Sequence, residues 1–394
     1  MPWSNLSPMD HKTQFIADFL RHSQSITELC LHYGISRKTA YKWISRYHQQ
    51  GISGLQDRSR KPLSCPHRTE PELVEALLEA RRHHPTWGPK KLLKLLSKSD
   101  PQRNWPARST VCDLLARHGL IKKPRRRRHL GHPGKPSSII TSPNQVWCAD
   151  FKGQFKTRDG LYCYPLTITD GFSRYLIGCQ GLLTTECASA KQVFEKAFRE
   201  FGLPERIRTD NGVPFATVSL ARLSSLSAWW IRLGIIPELI EPGKPQQNGR
   251  HERMHRTLKA ETTRPVAGNL CAQQRKFNAF RKEYNEVRPH EAIKLETPSS
   301  LYDRSERAYP QKLPRLEYPP HYETRYVSYN GGIRWRSDWV NVSICCAGEY
   351  VGLEEIDNGI WNVYFGPVKL GRLIEEQMRI EDESGKLLRH KKAV

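Results

Sequence analysis

The chain reads as a multidomain protein, with all-α helix-turn-helix units at its N-terminus, a central mixed α/β domain and a small β-barrel at its C-terminus. Three observations carry this reading. Apolar residues recur at helical spacing from Phe15 to His118; strand-like runs alternate with helices from Asn144; and β-prone residues alternate with Gly turns from Tyr326 to about Ile380. At 394 residues the chain exceeds one typical domain, so two to four units are expected.

Lys and Arg total 63 against 40 Asp and Glu, a net charge of +23 that implies a polyanionic partner, nucleic acid first. No apolar run approaches the roughly 18 residues of a spanning helix. The start, MPWSNLSPMDHK, lacks the basic end and apolar stretch of a signal peptide, so a cytoplasmic protein without a membrane partner is expected. The ten cysteines include no Cys-x-x-Cys pair and read as reduced thiols. Cys65 with His67, and His83 with His84, lack a second pair at zinc-ligand spacing.

Residues 1–58 read as the first DNA-binding unit. Phe15, Ile16, Phe19 and Leu20 mark one helix, and Ile26, Leu29 and Cys30 a second; Gly34 breaks the pattern and Ser36 offers an N-cap to a third. Arg37, Lys38, Thr39, Tyr41, Lys42 and Arg46 line the third helix's polar side. Small or basic residues there suit base edges and phosphates, so Arg37, Lys38, Thr39, Lys42 and Arg46 are expected to contact DNA. An ordinary three-helix bundle gives the same apolar pattern; the coincidence of this basic face with the global charge excess favours DNA.

A second helical unit, helix-turn-helix or winged, is expected over 66–122, with helices at Glu72–His83, Pro89–Ser97 and Arg108–His118. Ser109 reads as an N-cap, Trp87 and Trp105 as staples, and Arg108, Ser109 and Thr110 as DNA contacts, although helical packing alone produces the same spacing. The linker 123–140 follows. From Leu114 to Ala149 there is no acidic residue, and the run Arg125, Arg126, Arg127, Arg128 among prolines suits an extended phosphate clamp driven by counterion release. A merely solvated charge run is the plainer alternative.

The α/β domain spans 141–302. Strands are expected at Gln145–Phe155, Leu161–Asp170, Tyr175–Gly181, Arg206–Thr209 and Ile236–Ile240, and helices at Thr185–Phe201, around Leu220–Leu233, and from His251 and Leu270. The barrel is placed at 323–382. Arg334, Trp335 and Arg336 there suit DNA contact, and barrel packing accounts equally for the aromatics.

Three carboxylates from separate segments stand out. Asp150 shares one strand face with Val146 and Cys148. Asp210 follows Ile207–Thr209 at a strand's carboxyl end, where ligands gather in open α/β sheets. Glu252 lies in the first turns of a helix after the loop Glu241-Pro-Gly-Lys-Pro-Gln-Gln-Asn-Gly. Oxygen-only donors suit Mg²⁺ or Mn²⁺. Taken singly, each has a plain explanation: a strand-end cap, an Asx turn with Asn211-Gly212, a solvated helix charge.

The stretches Trp147-x-x-Asp150, Arg208-Thr-Asp-Asn-Gly212, Pro245-Gln-Gln-Asn-Gly-Arg-x-Glu252 and Tyr284-Asn-x-x-Arg-Pro-His290 resemble, in order, the integrase-core (DDE) transposases of bacterial insertion sequences, relatives of retroviral integrases. The resemblance is strong over Ser137–Tyr302 and looser over residues 10–50. It implies a ribonuclease H-like core in which Asp150, Asp210 and Glu252 bind two Mg²⁺ ions, with Mn²⁺ as substitute, and catalyse DNA cleavage and joining. Lys259 matches the family's basic residue two helical turns after the Glu. Lys244, Gln246, Gln247, Asn248 and Arg250 fall where the family's loop approaches the DNA end. Tyr284, Asn285, Arg288 and His290 look like packing and DNA-support residues.

Two departures accompany the resemblance. Asp210 and Glu252 are separated by 41 residues, more than is usual, with the surplus expected in Val213–Ala228. The zinc-binding His and Cys pattern of retroviral relatives is absent from the sequence. Together these readings imply a nucleoid-associated enzyme that binds the terminal repeats of an insertion sequence, cuts them and joins them to target duplex. It is expected to act as a dimer or tetramer of identical chains, with an accessory protein admitted as a further partner. The rivals are a DNA-binding regulator that has lost catalysis and a nuclease that cleaves without joining.

Overall fold

The computed structural model describes residues 7–59, 68–121, 138–241 and 245–382. It divides into two compact units, Met1–Thr69 and Glu70–Val394.

The first unit holds helices α1 (Pro8–Leu20), α2 (Ile26–His32) and α3 (Arg37–Gln50), closed by a 3₁₀ turn at Gly51–Leu55. Each helix starts after a serine, Ser7, Ser25 or Ser36, whose hydroxyl accepts an otherwise orphaned first-turn amide. Gly34 adopts φ 61°, where a side chain is disfavoured, and the chain reverses there between α2 and α3. Phe15, Ile16, Leu29, Ala40, Trp43, Ile44 and Leu55 close the core.

The second unit opens with α4 (Pro71–His83), α5 (Pro89–Ser99) and α6 (Arg108–Arg117), packed around Leu77, Trp87, Leu92, Val111 and Leu115. Contrary to expectation Ser109 is not the N-cap. Ala107 holds that position without a side-chain bond, because burial of Val111 and Leu115 sets where α6 runs and overrides the serine's local preference. Trp105 donates its indole N–H to the Asp100 carbonyl at 3.2 Å. This helical bundle docks on the domain that follows: His84 meets Glu283 at 3.0 Å, Lys90 meets Glu291 at 3.1 Å and Lys94 meets Glu296 at 2.9 Å. Arg288 lies 5.6 Å from the centre of the Trp87 ring.

The central domain runs β1 (Val146–Phe151), β2 (Phe155–Lys156), β3 (Tyr162–Asp170), β4 (Leu176–Leu182), α7 (Cys187–Phe201), β5 (Arg206–Thr209), α8 (Ser225–Arg232), β6 (Ile236–Leu239), α9 (Gly249–Thr262) and α10 (Leu270–Lys282). The mixed sheet is ordered β2-β3-β1-β5-β6, with β4 also on β3. β3 pairs antiparallel with β1 and β4, whereas β5 is parallel to β1 and β6. The strand expected over 145–155 is two strands. The ladder opens opposite Pro165, which accepts from the Lys152 amide at 2.8 Å but has no N–H to return.

One face of the sheet is covered by α7 and α8 through Phe194, Phe198, Phe201 and Trp230, packed on Trp147, Ile168 and Ile207. The other is covered by α9 and α10 through Met254, Leu258, Phe277 and Phe280. After α10 a π-turn, Glu283–Val287, carries Asn285, whose amide accepts from Leu176 N at 2.8 Å and donates to Leu176 O at 3.0 Å. That pairing occupies backbone groups of β4 that an edge strand would leave open. The helix expected over Leu220–Leu233 is a 3₁₀ turn, Leu220–Arg222, and then α8; Ser224 and Ser227 form a capping box that starts α8 afresh.

The C-terminal region contributes β7 (Glu323–Tyr326), β8 (Gly332–Trp335), β9 (Asp338–Asn341), β10 (Tyr350–Asp357), β11 (Ile360–Phe365), β12 (Val368–Ile374) and β13 (Arg379–Glu381). They form an antiparallel sheet ordered β13-β12-β11-β10-β7 and a separate ribbon, β8-β9. The ribbon lies beside both edge strands, β8 near β7 and β9 near β13, but no ladder joins them, so the sheet is not closed. Trp335 and Trp361 are largely buried and both donate their indole N–H to Glu375 Oε1, at 3.0 and 2.9 Å. Trp335 is therefore a core residue, whereas Arg334 is exposed and Arg336 pairs with Glu375 at 2.8 Å. This core also takes in Leu220, Leu223, Ala228 and Ile231 of the central domain. Among the described residues no helix is long and apolar enough to cross a membrane, and the described cysteines are free thiols.

Candidate active site

Asp150 is the fifth residue of β1, opposite Thr167 of β3. On its other side β1 runs parallel to β5 with Val146, Trp147 and Cys148 opposite Arg206, Ile207 and Arg208. Asp210 lies just past the end of β5, and its charge acts on the Asp150 carboxyl. The Asp210 turn is tied down by the Gly212 amide, which donates to Asp210 Oδ1 at 3.2 Å. Glu252 sits exposed in the first turn of α9, a position favourable to an anion.

Two buried histidines, not anticipated from the sequence, fix α9 against the sheet. His251 contacts Thr167 Oγ1 through Nε2 and Thr169 Oγ1 through Nδ1, both at 2.7 Å, and His255 Nε2 contacts Thr167 Oγ1 at 2.6 Å. The Thr167 hydroxyl also lies 3.1 Å from the Asp150 carbonyl. With one hydroxyl proton for three partners, Thr167 must accept from the Nε2–H of at least one of the two rings. Burial holds both rings neutral: it lowers His251 to about 3 and His255 to about 2. The spacing of these histidines one turn apart on a helix was their signal, but nothing local says that polar threonines await them.

The electrostatics converge on Asp150, whose side chain is 20 % exposed. Burial, and then the charge of Asp210 and Glu252, pushes its carboxyl from 3.8 up to about 7. Lys152 is the cation that most opposes this. Its own pKa is lowered by burial and then by the charge of Lys259. The two lysines line one small cavity with Gly153, Gln154 and Leu258. Lys152 was overlooked in the sequence; lying two residues past Asp150, it falls on the same side of an alternating strand. Among the described residues no three His, Cys, Asp or Glu side chains are already gathered into a metal-holding cluster. The donor set still fits a hard divalent cation: three oxygen ligands, one with its charge disfavoured by two others, beside a histidine too deeply buried to be a counter-ion.

The expected DNA contacts separate into groups. On α3, Arg37, Lys38 and Lys42 are exposed, Arg46 is half-buried, and Thr39 shares a 2.9 Å hydroxyl contact with Ser36 at the helix cap. Lys42 and Arg46 also lie on the Trp43 ring, at 4.4 and 5.0 Å. Arg108 and Ser109 are exposed at the head of α6 and Thr110 is half-buried. Arg125, Arg126, Arg127, Arg128, Lys244 and the Gln246 side chain lie outside the described residues.

In the loop before α9, Gln247 bonds back to Glu241, accepting from its amide at 2.9 Å and donating to its carboxylate at 2.7 Å. Asn248 is buried, with its Oδ1 unpartnered. Arg250 donates to the Gly171 carbonyl at 3.1 Å, and Lys259 is exposed. Tyr284, Asn285 and Arg288 are buried, and Tyr284 and His290 pack edge to face at 4.5 Å.

The chain is similar to known proteins over both its helical and its central regions. The integrase core domain family matches residues 140–245 and, in a second form, 233–298. A helix-turn-helix domain matches 11–62 and a homeodomain-like domain 39–115. An uncharacterized 31.7 kDa protein of insertion element IS407 from Burkholderia multivorans is 27% identical over 237 residues, 58% of this chain and 78% of that protein. An uncharacterized 39.2 kDa protein of insertion element IS476 from Xanthomonas euvesicatoria is 26% identical over 275 residues, 68% of this chain and 73% of that one. Among solved structures, the HTLV-2 integrase catalytic core domain in complex with magnesium is 17% identical, with a TM-score of 0.34, covering 41% of this chain and 98% of that one.

Proposed function

The chain is an integrase-core transposase of the insertion-element kind, a polynucleotidyl transferase, and from that premise we propose that it binds the terminal inverted repeats of its element, cleaves the ends and joins them to target DNA. The observation that supports the reading is that the charges of Asp210 and Glu252, from two other segments, both reach the Asp150 carboxyl and raise its pKa.

Asp150, Asp210 and Glu252 would hold two Mg²⁺ ions, or Mn²⁺ in their place. Bound there, the ions supply charge neutralisation at the scissile phosphate and acidify a coordinated water or hydroxyl. The chain's own residues do the rest. The His251–Thr167–His255 contacts hold α9 against β3, next to β1, so the carboxylates meet the phosphate without rearranging. Lys152 and Lys259 grip a neighbouring phosphate.

In the first step water attacks the phosphorus, a P–O bond forms, and the P–O3′ bond breaks, freeing a 3′-hydroxyl. That hydroxyl attacks a target phosphodiester, losing its proton while the displaced target oxygen gains one. One phosphoester is made for each broken in joining, so no external energy source is needed.

DNA recognition falls to the unit 1–58, through Arg37, Lys38, Lys42 and Arg46 with Thr39 at the cap. The unit 66–122 adds Arg108, Ser109 and Thr110, and the linker 123–140 its four arginines. Residues 141–302 form the catalytic core. Residues 323–382, an open five-stranded sheet with the β8-β9 ribbon beside its two edge strands, take the place of the small barrel that follows integrase cores. Two DNA ends must be held at once, which suits a dimer or tetramer working at the nucleoid in the cytoplasm.

The test is incubation with Mg²⁺ or Mn²⁺, a labelled duplex carrying the element's end, and plasmid target, beside Glu252→Gln. Strand-transfer products from the unaltered protein alone support the proposal. Specific binding without cleavage in both proteins would identify a regulator, and cleavage without joining a nuclease.

A further inference from the structure

Residues 211–224, between Asp210 and Glu252, form a strap that runs from the Asp210 turn into the C-terminal β-rich unit. At its near end Asn211, next to Asp210, is held from both sides: its Nδ2 donates to the Ile240 carbonyl at 2.8 Å and its Oδ1 accepts from Arg222 Nη1 at 3.0 Å. The strap is folded on itself. Thr217 N donates to the Arg222 carbonyl at 3.1 Å, Thr217 and Ser219 hydroxyls both donate to the Leu223 carbonyl at 2.5 Å, and Ser224 Oγ donates to the Phe215 carbonyl at 3.0 Å.

Its far end is buried in the C-terminal unit. Leu220 and Leu223, 1% and 2% exposed, belong to the apolar cluster of Val327, Ile333, Trp335 and Val363. Cys345 Sγ lies 3.5 Å from the Leu223 carbonyl, and Arg232 at the end of α8 pairs with Glu349 at 2.5 Å. Between the two leucines Ala221 and Arg222 adopt φ 48° and 56°. Non-glycine residues hold that left-handed conformation where surrounding structure over-determines it, and such strain clusters at functional sites. Here the strained pair lies between two buried leucines, and Arg222 reaches Asn211 from it.

We propose that the C-terminal β-rich unit serves the active site by anchoring this strap, with Arg222 as a positioning residue that acts through Asn211 on the Asp210 carboxylate. The inference rests on the metal-binding reading of Asp210 above. It gives the C-terminal unit a task within the same chain, independent of any DNA contact.

The experiment uses the full chain without DNA and follows Mn²⁺ binding by the loss of the free-ion paramagnetic resonance signal, together with amide hydrogen exchange over residues 210–216. Arg222→Ala is expected to weaken Mn²⁺ binding about tenfold, at the low end of outer-shell effects, and to speed exchange over 210–216. Arg222→Lys should recover part of both, and DNA binding in chelator should stay at the unaltered level. Leu223→Ala, which loosens the strap from the β-unit, should reproduce the two changes.

Unchanged exchange and unchanged Mn²⁺ affinity in Arg222→Ala would overturn the inference. So would an equal rise in exchange across β1 and α7, which marks general destabilisation. If the unaltered protein takes up Mn²⁺ no better than Glu252→Gln, the metal reading fails by itself, and the exchange of 210–216 still decides whether the strap holds the turn.

Discussion

Asp150→Asn should stabilise the metal-free protein while abolishing its response to metal. Moving a carboxyl from 3.8 to about 7 costs its ionised form about 4 kcal/mol at 1.36 kcal/mol per pH unit. The sign follows from the direction: an acid whose folded pKa is raised favours the native state fully below pH 3.8, and that contribution is lost as the pH rises through 7. At pH 8 the native chain therefore carries the whole cost, and an asparagine of the same shape removes it.

Allowing for relaxation around a side chain that is 20 % exposed, the gain is about 2–4 kcal/mol, or on the order of 3–6 °C in Tm for a unit of this size. The gain should shrink steadily as the pH is lowered from 8 toward 4. Differential scanning calorimetry in chelator and in Mn²⁺ measures both halves: Mn²⁺ should raise the Tm of the unaltered protein by mass action and leave Asp150→Asn unmoved. A variant that melts at or below the unaltered protein in chelator at pH 8, or that gains as much from Mn²⁺, would refute the electrostatic account of the site.

Burial holds His290 at about 3, well below its ordinary 6.5, so its contribution to stability is complete above pH 6.5 and is lost as the pH falls toward 3. Urea unfolding at pH 7 and pH 5 should show His290→Asn losing about 2 kcal/mol less than the unaltered protein over that interval; parallel losses would show that the ring is not held neutral. Arg288 is 7% and Glu261 18% exposed in their 2.6 Å pair, so Arg288→Ala should cost about 3 kcal/mol by leaving a shielded carboxylate unpaired. The double change with Glu261→Met should cost less, and if denaturant unfolding finds the two additive, the pair does not couple α9 to the segment after α10.

Local chemistry alone determined much of this protein. Ser7, Ser25 and Ser36 start their helices because a hydroxyl satisfies an orphan amide wherever the rest of the chain goes. The 3.6-residue periodicity of Phe194, Ala197, Phe198 and Phe201 marks the buried face of α7 without reference to what it meets. Asp150, Asp210 and Glu252 could be singled out because their motifs are contiguous in sequence. Tertiary structure decided the rest. Pro165 broke a strand that its neighbour's sequence would have continued, core packing rather than Ser109 began α6, and burial holds His251 and His255 neutral against Thr167. Most of all, the residues between Asp210 and Glu252 look like a loop of surplus length until Leu220 and Leu223 are seen in the core of the C-terminal unit. Apolar contact between residues a hundred positions apart carries no local signature, because burial depends on the partner and not on the spacing.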